Sequence, residues 1–352
     1  MTRTLRAITY TDLNQIAVKE YELGEMSPTD ILVETRYTMV STGTELRILA
    51  GHYGAAKNYP LVPGYSSVGT VIEVGAEVKG FRVGDNVSCR NPKWTVKGVN
   101  SMWGGQSSLQ VQATSGEDRP ILLPYDADLL DYVAVEISAI SLRGVTAAAP
   151  KPGETAVILG QGLIGTLSAA WFAAAGCRVI VTDLENSRLQ RAAARSYATV
   201  NVGDADAEAQ IQTLCNGGAD IVVECSGSAK GAEMAYRLVR RKPQNYSNDY
   251  KVEPIQFYHG DWPRLVMQAN YLDEVTINPF TFVAGEGVTI LMPSDRGVED
   301  RQMAAEQFRR GVIKSADFVQ TISSVADAPA AYAALRDDKK SNFSLVFDWS
   351  QA

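Results

Sequence analysis

Histidine and cysteine are scarce in this chain of 352 residues: the imidazoles are His52 and His259, and the thiols are Cys89, Cys177, Cys215 and Cys225. The cysteines form no Cys-x-x-Cys pair, which excludes a disulfide scaffold and a zinc knuckle and leaves them as buried or passive thiols. Basic blocks are missing as well. With 33 Lys and Arg against 40 Asp and Glu, the formal net charge is −7, and no run of cations offers the footprint that nucleic acid or an anionic membrane requires. No apolar run approaches the ~18 residues of a spanning helix, and residues 1–8 lack the apolar stretch of a leader. Internal repeats and low-complexity tracts are absent. These absences point to a cytoplasmic protein whose partner is a small molecule, with no nucleic acid and no membrane. What remains is ordinary for a globular chain, 45% hydrophobic and 21% charged, and long enough for two domains.

The richest local pattern is Thr155-Ala156-Val157-Ile158-Leu159-Gly160-Gln161-Gly162-Leu163-Ile164-Gly165, followed by a helical run and then Arg178-Val179-Ile180-Val181-Thr182-Asp183. It reads as strand, glycine turn, helix, strand and acid. Gly160 allows the tight turn, Gly162 lets backbone amides approach a pyrophosphate, and Gly165 lets helix and strand pack closely. Gln161, Leu163 and Ile164 complete the phosphate-facing turn. The carboxylate of Asp183 would accept hydrogen bonds from the ribose hydroxyls of NAD and repel the extra phosphate of NADP, so NAD is the expected cofactor. The plainer reading of Asp183 is a cap for the turn that follows it. Arg188 is expected over the adenine, and Ser226, Gln268 and Ser294, just beyond strand ends, near the nicotinamide half.

The first 125 residues consist of short β-type runs separated by glycine turns, such as Gly69-Thr70-Val71-Ile72-Glu73-Val74-Gly75, and read as an all-β, barrel-like domain. From about residue 126 helices alternate with apolar strands, which implies a parallel sheet covered on both faces. The boundaries expected are residues 126–297 for this dinucleotide-binding domain and residues 1–125 with 298–352 for the other. The class is α/β.

Three segments carry a family resemblance. Tyr59-Pro60-Leu61-Val62-Pro63-Gly64-Tyr65-Ser66-Ser67-Val68-Gly69 looks like a P-x-x-x-G-H-E-x-x-G element, Gly84-Asp85-Asn86-Val87 like a G-D-R-V turn, and Gly104-Gly105-Gln106 like the start of a G-G-x-A-E strand. The chain resembles the medium-chain dehydrogenase/reductase (alcohol dehydrogenase-like) superfamily over nearly its whole length. The resemblance implies a GroES-like β-rich catalytic domain plus a Rossmann doubly wound parallel-sheet domain, and association as a homodimer or homotetramer. Zinc-dependent members hold catalytic zinc through a Cys, a His and a third Cys or Glu; the matching positions here are Thr42, Tyr65 and Glu136. A tetrahedral N/S site of the usual kind cannot be built from these residues, so no metal is expected. Among zinc-free members, Ser41-Thr42-Gly43-Thr44-Glu45 and the ending Leu345-Val346-Phe347-Asp348-Trp349 are similar to hydroxyethyl-bacteriochlorophyllide dehydrogenases. An extra segment at residues 242–263, which holds His259, departs from that pattern and reads as a surface flap or oligomer contact.

Alcohol oxidation without zinc needs a side chain that bonds the alkoxide-like oxygen and passes its proton on. By position in the family, Thr44, Tyr65 and Glu136 are the expected catalytic group, with His52 at a nearby turn as a further relay candidate. Glu136 would act as base if burial raised its proton affinity. Each has a plainer role open to it: a turn hydrogen bond for Thr44, aromatic packing for Tyr65, a helix-start charge for Glu136, an exposed loop for His52. Thr42, Glu45, Trp94, Trp103 and Asn270 are the candidate substrate contacts, although the tryptophans suit a barrel core equally well. The function expected is NAD-dependent interconversion of a secondary alcohol and a ketone on a cyclic or bulky substrate, either a sugar or polyol or a tetrapyrrole side chain. The alternatives are an NAD(P)H-dependent alkene or quinone reductase and a dinucleotide-binding homologue that catalyses nothing.

Overall fold

The computed structural model describes residues 3–53, 58–240, 262–276, 287–294, 297–338 and 342–350. Of the extra segment, only Trp262 and Pro263 fall among them; His259 lies outside the described residues. The chain forms two compact units, Met1–Ile140 with Asp295–Ala352, and Ser141–Ser294. The first crossing from one to the other falls within helix α2 (Val135–Ala148). No helix of the described residues is long and apolar enough to cross a membrane.

The discontinuous unit is built mainly from antiparallel pairs. Strands β1 (Thr4–Asp12), β2 (Gln15–Glu22), β4 (Leu61–Val62) and β7 (Asn100–Ser101) form a sheet in the order β2-β1-β4-β7. A larger sheet runs β16-β17-β3-β5-β6-β9, with β8 (Leu109–Ala113) also on β3. Its strands are β3 (Asp30–Met39), β5 (Ser67–Val74), β6 (Asn86–Cys89), β9 (Ile121–Leu122), β16 (Thr321–Ser324) and β17 (Leu345–Asp348). The C-terminal return strand β17 pairs antiparallel with β3, which brings the two ends of the sequence into one sheet. Gly69 has a packing reason here: a Cβ would sit 2.2 Å from the Glu34 carbonyl oxygen across the β3–β5 pair. The aromatic core joins both ends too, with Tyr10 edge-on to Tyr332 and Tyr332 stacked on Phe347, each at 5.7 Å between ring centroids.

One element departs from the all-β reading of this region. Residues Thr42–Leu49 form helix α1, whose inward face is Glu45, Ile48 and Leu49. That three-and-four spacing is helical, but the segment is only about two turns long, shorter than the window over which a helical period is read from sequence.

The second unit is a six-stranded parallel sheet in the order β12-β11-β10-β13-β14-β15. Its strands are β10 (Thr155–Leu159), β11 (Arg178–Asp183), β12 (Ala198–Asn201), β13 (Ile221–Glu224), β14 (Arg264–Met267) and β15 (Thr289–Leu291). The order reverses direction at β10 and β13, the switch point at which open α/β sheets bind ligands beyond their strand ends. Ala156, Val157, Ile158, Ile180, Val181, Val222 and Val223 are fully buried, as expected of strands covered on both faces. Helices α3 (Leu163–Ala174), α4 (Asn186–Ala193), α5 (Ala207–Leu214) and α6 (Ala229–Leu238) supply crossovers between the strands.

Candidate functional site

The glycine turn of the second unit requires glycine at Gly160 and Gly165, each for its own reason. Gly160 has φ of 88°, a conformation that disfavours any side chain, and a Cβ there would also press on Ser226. Gly165 lies against the preceding turn: a Cβ would sit 1.8 Å from the Gly160 carbonyl oxygen. Gly162 is different. It is the N-cap of α3, with ordinary φ, and a Cβ would meet nothing within 4 Å. Space in front of a helix N-terminus, with Leu163 and Ile164 in its first turn, is what a pyrophosphate requires. Gln161 is 2% exposed, and its side chain donates to the Gly160 carbonyl, so it braces the turn from behind.

Asp183 closes β11 at 6% exposure. Its Oδ2 accepts from the Gln161 amide at 2.6 Å and its Oδ1 from the Glu185 amide at 2.9 Å, with Arg188 Nη1 at 3.4 Å. The carboxylate therefore caps the next turn, as the plainer reading had it, and it also stands beside the glycine turn with a guanidinium next to it. Each oxygen keeps acceptor capacity for a ribose hydroxyl. Ser226, Asn270 and Ser294 are exposed, and Gln268 is buried, all just past their strands.

In the other unit, residues near α1 gather into a buried polar cage. Ser41, the N-cap of α1, does not spend its hydroxyl on the helix; Ser41 Oγ and the Tyr65 hydroxyl lie 2.5 Å apart. Glu45 Oε1 accepts from the Ser41 amide at 2.9 Å instead. Glu45 Oε2 accepts from the Tyr332 hydroxyl at 2.5 Å and from Gln106 Nε2 at 3.3 Å. Gln106 Oε1 in turn accepts from Thr38, whose hydroxyl also accepts from the Trp349 indole. Glu45 is wholly buried and its hydrogen-bond partners carry no positive charge. Burial pushes its carboxyl up to about 7, against which Tyr332, Ser41 and Gln106 pull only partly.

Tyr65 is 6% exposed and edge-on to Trp103 at 5.0 Å, and Trp103 also tilts against Tyr53 at 6.1 Å. Trp103 has φ of 70°, a left-handed conformation that a bulky residue rarely adopts without surrounding support. Thr42 and Thr44 are half-buried in the first turn of α1, and His52 is exposed just past its end.

Three expectations need correction. Glu136 is not a free base: it is 1% exposed and paired with Arg301, itself wholly buried. Arg301 Nε and Nη2 both reach the carboxylate at 2.8–3.0 Å, Ser88 donates to it at 3.0 Å, and Arg301 Nη1 donates to the carbonyls of Glu117 and Arg119. A buried carboxylate held this way is fixed in its charged form, and moving a proton onto it would leave a buried guanidinium uncompensated. Glu45 is not open to substrate, because its oxygens face Ser41, Tyr332 and Gln106. Trp94 packs with Leu5, Val62 and Val99 and donates its indole N–H to the Val99 carbonyl, which makes it part of the core.

Sequence reasoning missed Tyr332 and Arg301. They join their carboxylates across 287 and 165 residues, and nothing local marks either. Ser41 and Gln106 lay inside quoted motifs, and the signal that would have found them is their polarity amid apolar neighbours.

Residues 27–116 match the family of the alcohol dehydrogenase GroES-like domain, and residues 164–243 match that of the zinc-binding dehydrogenases. Both matches support the medium-chain, alcohol dehydrogenase-like superfamily. Sugar and polyol dehydrogenases are among the chain's curated relatives. The 2-dehydro-3-deoxy-L-galactonate 5-dehydrogenase of Pseudoalteromonas atlantica is 27% identical over 86% of this chain and 87% of its own. The sorbitol dehydrogenase of Halalkalibacterium halodurans is 26% identical over 61% of this chain and 67% of its own. Among solved structures, 2R,3R-butanediol dehydrogenase from Bacillus subtilis shares the fold at a TM-score of 0.81, with 18% identity over 98% of this chain and 99% of that one.

Proposed function

We propose that this medium-chain dehydrogenase/reductase is an NAD-dependent, zinc-independent oxidoreductase that interconverts a secondary alcohol and a ketone on a sugar or polyol. The observation that carries the cofactor is the glycine turn, with its open approach at Gly162 and an acid at the end of β11. The curated relatives that act on sugar acids and polyols support the substrate class.

The residues at the zinc positions do not fit a zinc ion. Thr42 brings an alcohol, Tyr65 directs its phenol to Ser41, and Glu136 already has Arg301 as its counter-cation. The match to a zinc-binding family covers residues 164–243, apart from all three positions. No step is therefore routed through a metal. A bound dinucleotide supplies the hydride acceptor or donor. The chain's own work is to seat the pyrophosphate at the α3 N-terminus, accept the ribose hydroxyls at Asp183, and exchange the substrate's hydroxyl proton through Tyr65 and Ser41. Each hydroxyl can donate or accept, so in oxidation the pair takes the substrate's proton and releases one to water, and in reduction the transfer runs in reverse.

A homodimer or homotetramer is part of this proposal. β15 ends the six-stranded order, and it and the residue after it expose Ile290 (36%) and Met292 (70%), a hydrophobic strip of the kind a second copy covers. Light scattering on a sizing column tests that point. The activity is tested by NADH formation over sugars, polyols and a hydroxyethyl tetrapyrrole. Turnover on a tetrapyrrole alone would replace the substrate class. NADH binding with no turnover would favour a non-catalytic homologue, and NADPH-driven alkene or quinone reduction a reductase.

A further inference from the structure

Glu224 ends β13 with no exposed surface, and nothing above gives it a task. Its carboxylate is saturated by donors from two loops. Oε1 accepts from the Ser226 amide at 2.8 Å and Oε2 from the Gly227 amide at 3.1 Å, and the Ser226 hydroxyl also donates to Oε1. The Tyr271 hydroxyl, from the segment after β14, donates to Oε2. Burial and the neighbouring Glu224 charge hold the Tyr271 phenol far above its ordinary range, so it stays a donor.

Two glycines show how tightly the sequence is fitted around this carboxylate. In the first turn of α6, a Cβ on Gly231 would lie 2.7 Å from Glu224 Oε1 and 2.3 Å from Ser226 Oγ. Gly227 has φ of 68°, which turns its N–H back toward the carboxylate. The loop so held then touches the glycine turn: a Cβ on Gly160 would meet the Ser226 amide nitrogen at 3.0 Å.

We infer that Glu224 and Tyr271 form a latch that fixes the Ser226–Gly227 loop against the Gly160 turn, and that dinucleotide affinity depends on it. Both are positioning residues, acting through the loop rather than on the ligand. Unmaking the latch frees two backbone N–H groups that carry the loop's conformation, and with it one wall of the turn at the switch point. Loop order bought by a buried anion has a distinct signature: it is lost when the anion or its neutral donor is removed, even though no group that touches the cofactor has changed.

The inference rests on the reading of this unit as an NAD(H) site, and the experiment separates the two. NADH titration by fluorescence is run on the wild-type chain, Y271F, E224Q and Y236F, the last removing another buried phenol of the same core. Expected are saturable binding by wild type and Y236F within two-fold of each other, and an affinity weaker by about ten-fold in Y271F, the size of one hydrogen bond to a charged group. E224Q should weaken it further. Circular dichroism of Y271F, the milder variant, should match wild type. Wild-type binding with Y271F unchanged overturns the latch and leaves the cofactor reading intact. No binding by wild type overturns the cofactor reading itself. Equal losses in Y271F and Y236F would mean general loosening, and would also overturn the latch.

Discussion

The glycine turn of one unit and the polar cage of the other are made from different materials. The turn is backbone: three glycines, a helix N-terminus and a strand end, all within residues 155–183. The cage is side chain: Ser41, Glu45, Tyr65, Gln106 and Tyr332, drawn from across the sequence. A backbone site depends on where side chains are absent, and that can be read locally because glycine spacing and strand periodicity are local. A side-chain site depends on which polar groups the topology brings together, and a sequence shows that only after the fold is known.

The same contrast governs the buried carboxylates within the first unit. Glu136 has a guanidinium against it and Glu45 has neutral donors. Burial penalises both charges, but only Glu136 has a cation to offset the penalty. Hence the proton affinity of Glu45 rises to about 7, and Glu136 is committed to its ion pair.

Substitutions at these places should separate the two designs. Arg301→Ala leaves Glu136 buried and unpaired, and urea denaturation should show a loss of about 3–5 kcal/mol, the cost of orphaning a buried charge. Replacing both partners by methionine should recover much of it. A double variant as unstable as Arg301→Ala would deny that the orphaned charge is the cause.

Glu45 comes next. Its carboxyl is raised from 4.5 to about 7 in the folded chain, so the folded state holds a proton that the unfolded chain releases. Stability from this group is fully present below the unfolded value and lost as pH rises through about 7. The shift corresponds to about 3 kcal/mol. Wild-type stability should thus fall between pH 5 and pH 8, and Glu45→Gln should flatten that slope. An unchanged slope in the variant would remove Glu45 as its source.

The glycines divide by what a methyl would strike. Gly165→Ala drives a Cβ into the Gly160 carbonyl and should cost about 1–3 kcal/mol as overpacking, measured by thermal denaturation. Gly162→Ala meets open space and should leave stability within about 0.5 kcal/mol, while NADH binding weakens sharply. If Gly162→Ala bound NADH as wild type does, that space would not be the pyrophosphate's. Tyr65→Phe should cost only about 1 kcal/mol of stability, for one hydrogen bond to Ser41, yet this variant should abolish most turnover.

Much of the fold was legible. The parallel strands at residues 155–159, 178–183 and 264–267 follow from apolar runs flanked by glycine and acid, and β17 from Leu345-Val346-Phe347. Helix α1 was not, because its eight residues, opening on Thr42-Gly43-Thr44, fall short of the window over which a helical period is read. At the site, the turn at Gly160 and the close packing at Gly165 could be read from spacing alone. The fate of Glu136 could not, since its partner arrives from the helix Val298–Arg309, far along the chain. Trp94 and Trp103 illustrate a further limit. Both looked alike as aromatic candidates, and only the fold shows one bonded within the core and the other held at positive φ beside Tyr65.

In the proposed function, dinucleotide chemistry on an alcohol proceeds through side chains without zinc. The direct measurement is NADH formation from NAD with sugar and polyol substrates, before and after exhaustive chelation, with the metal content of the same sample assayed. Turnover is expected that chelation does not diminish and that Tyr65→Phe removes. Turnover that disappears with chelation and returns on adding zinc would contradict it.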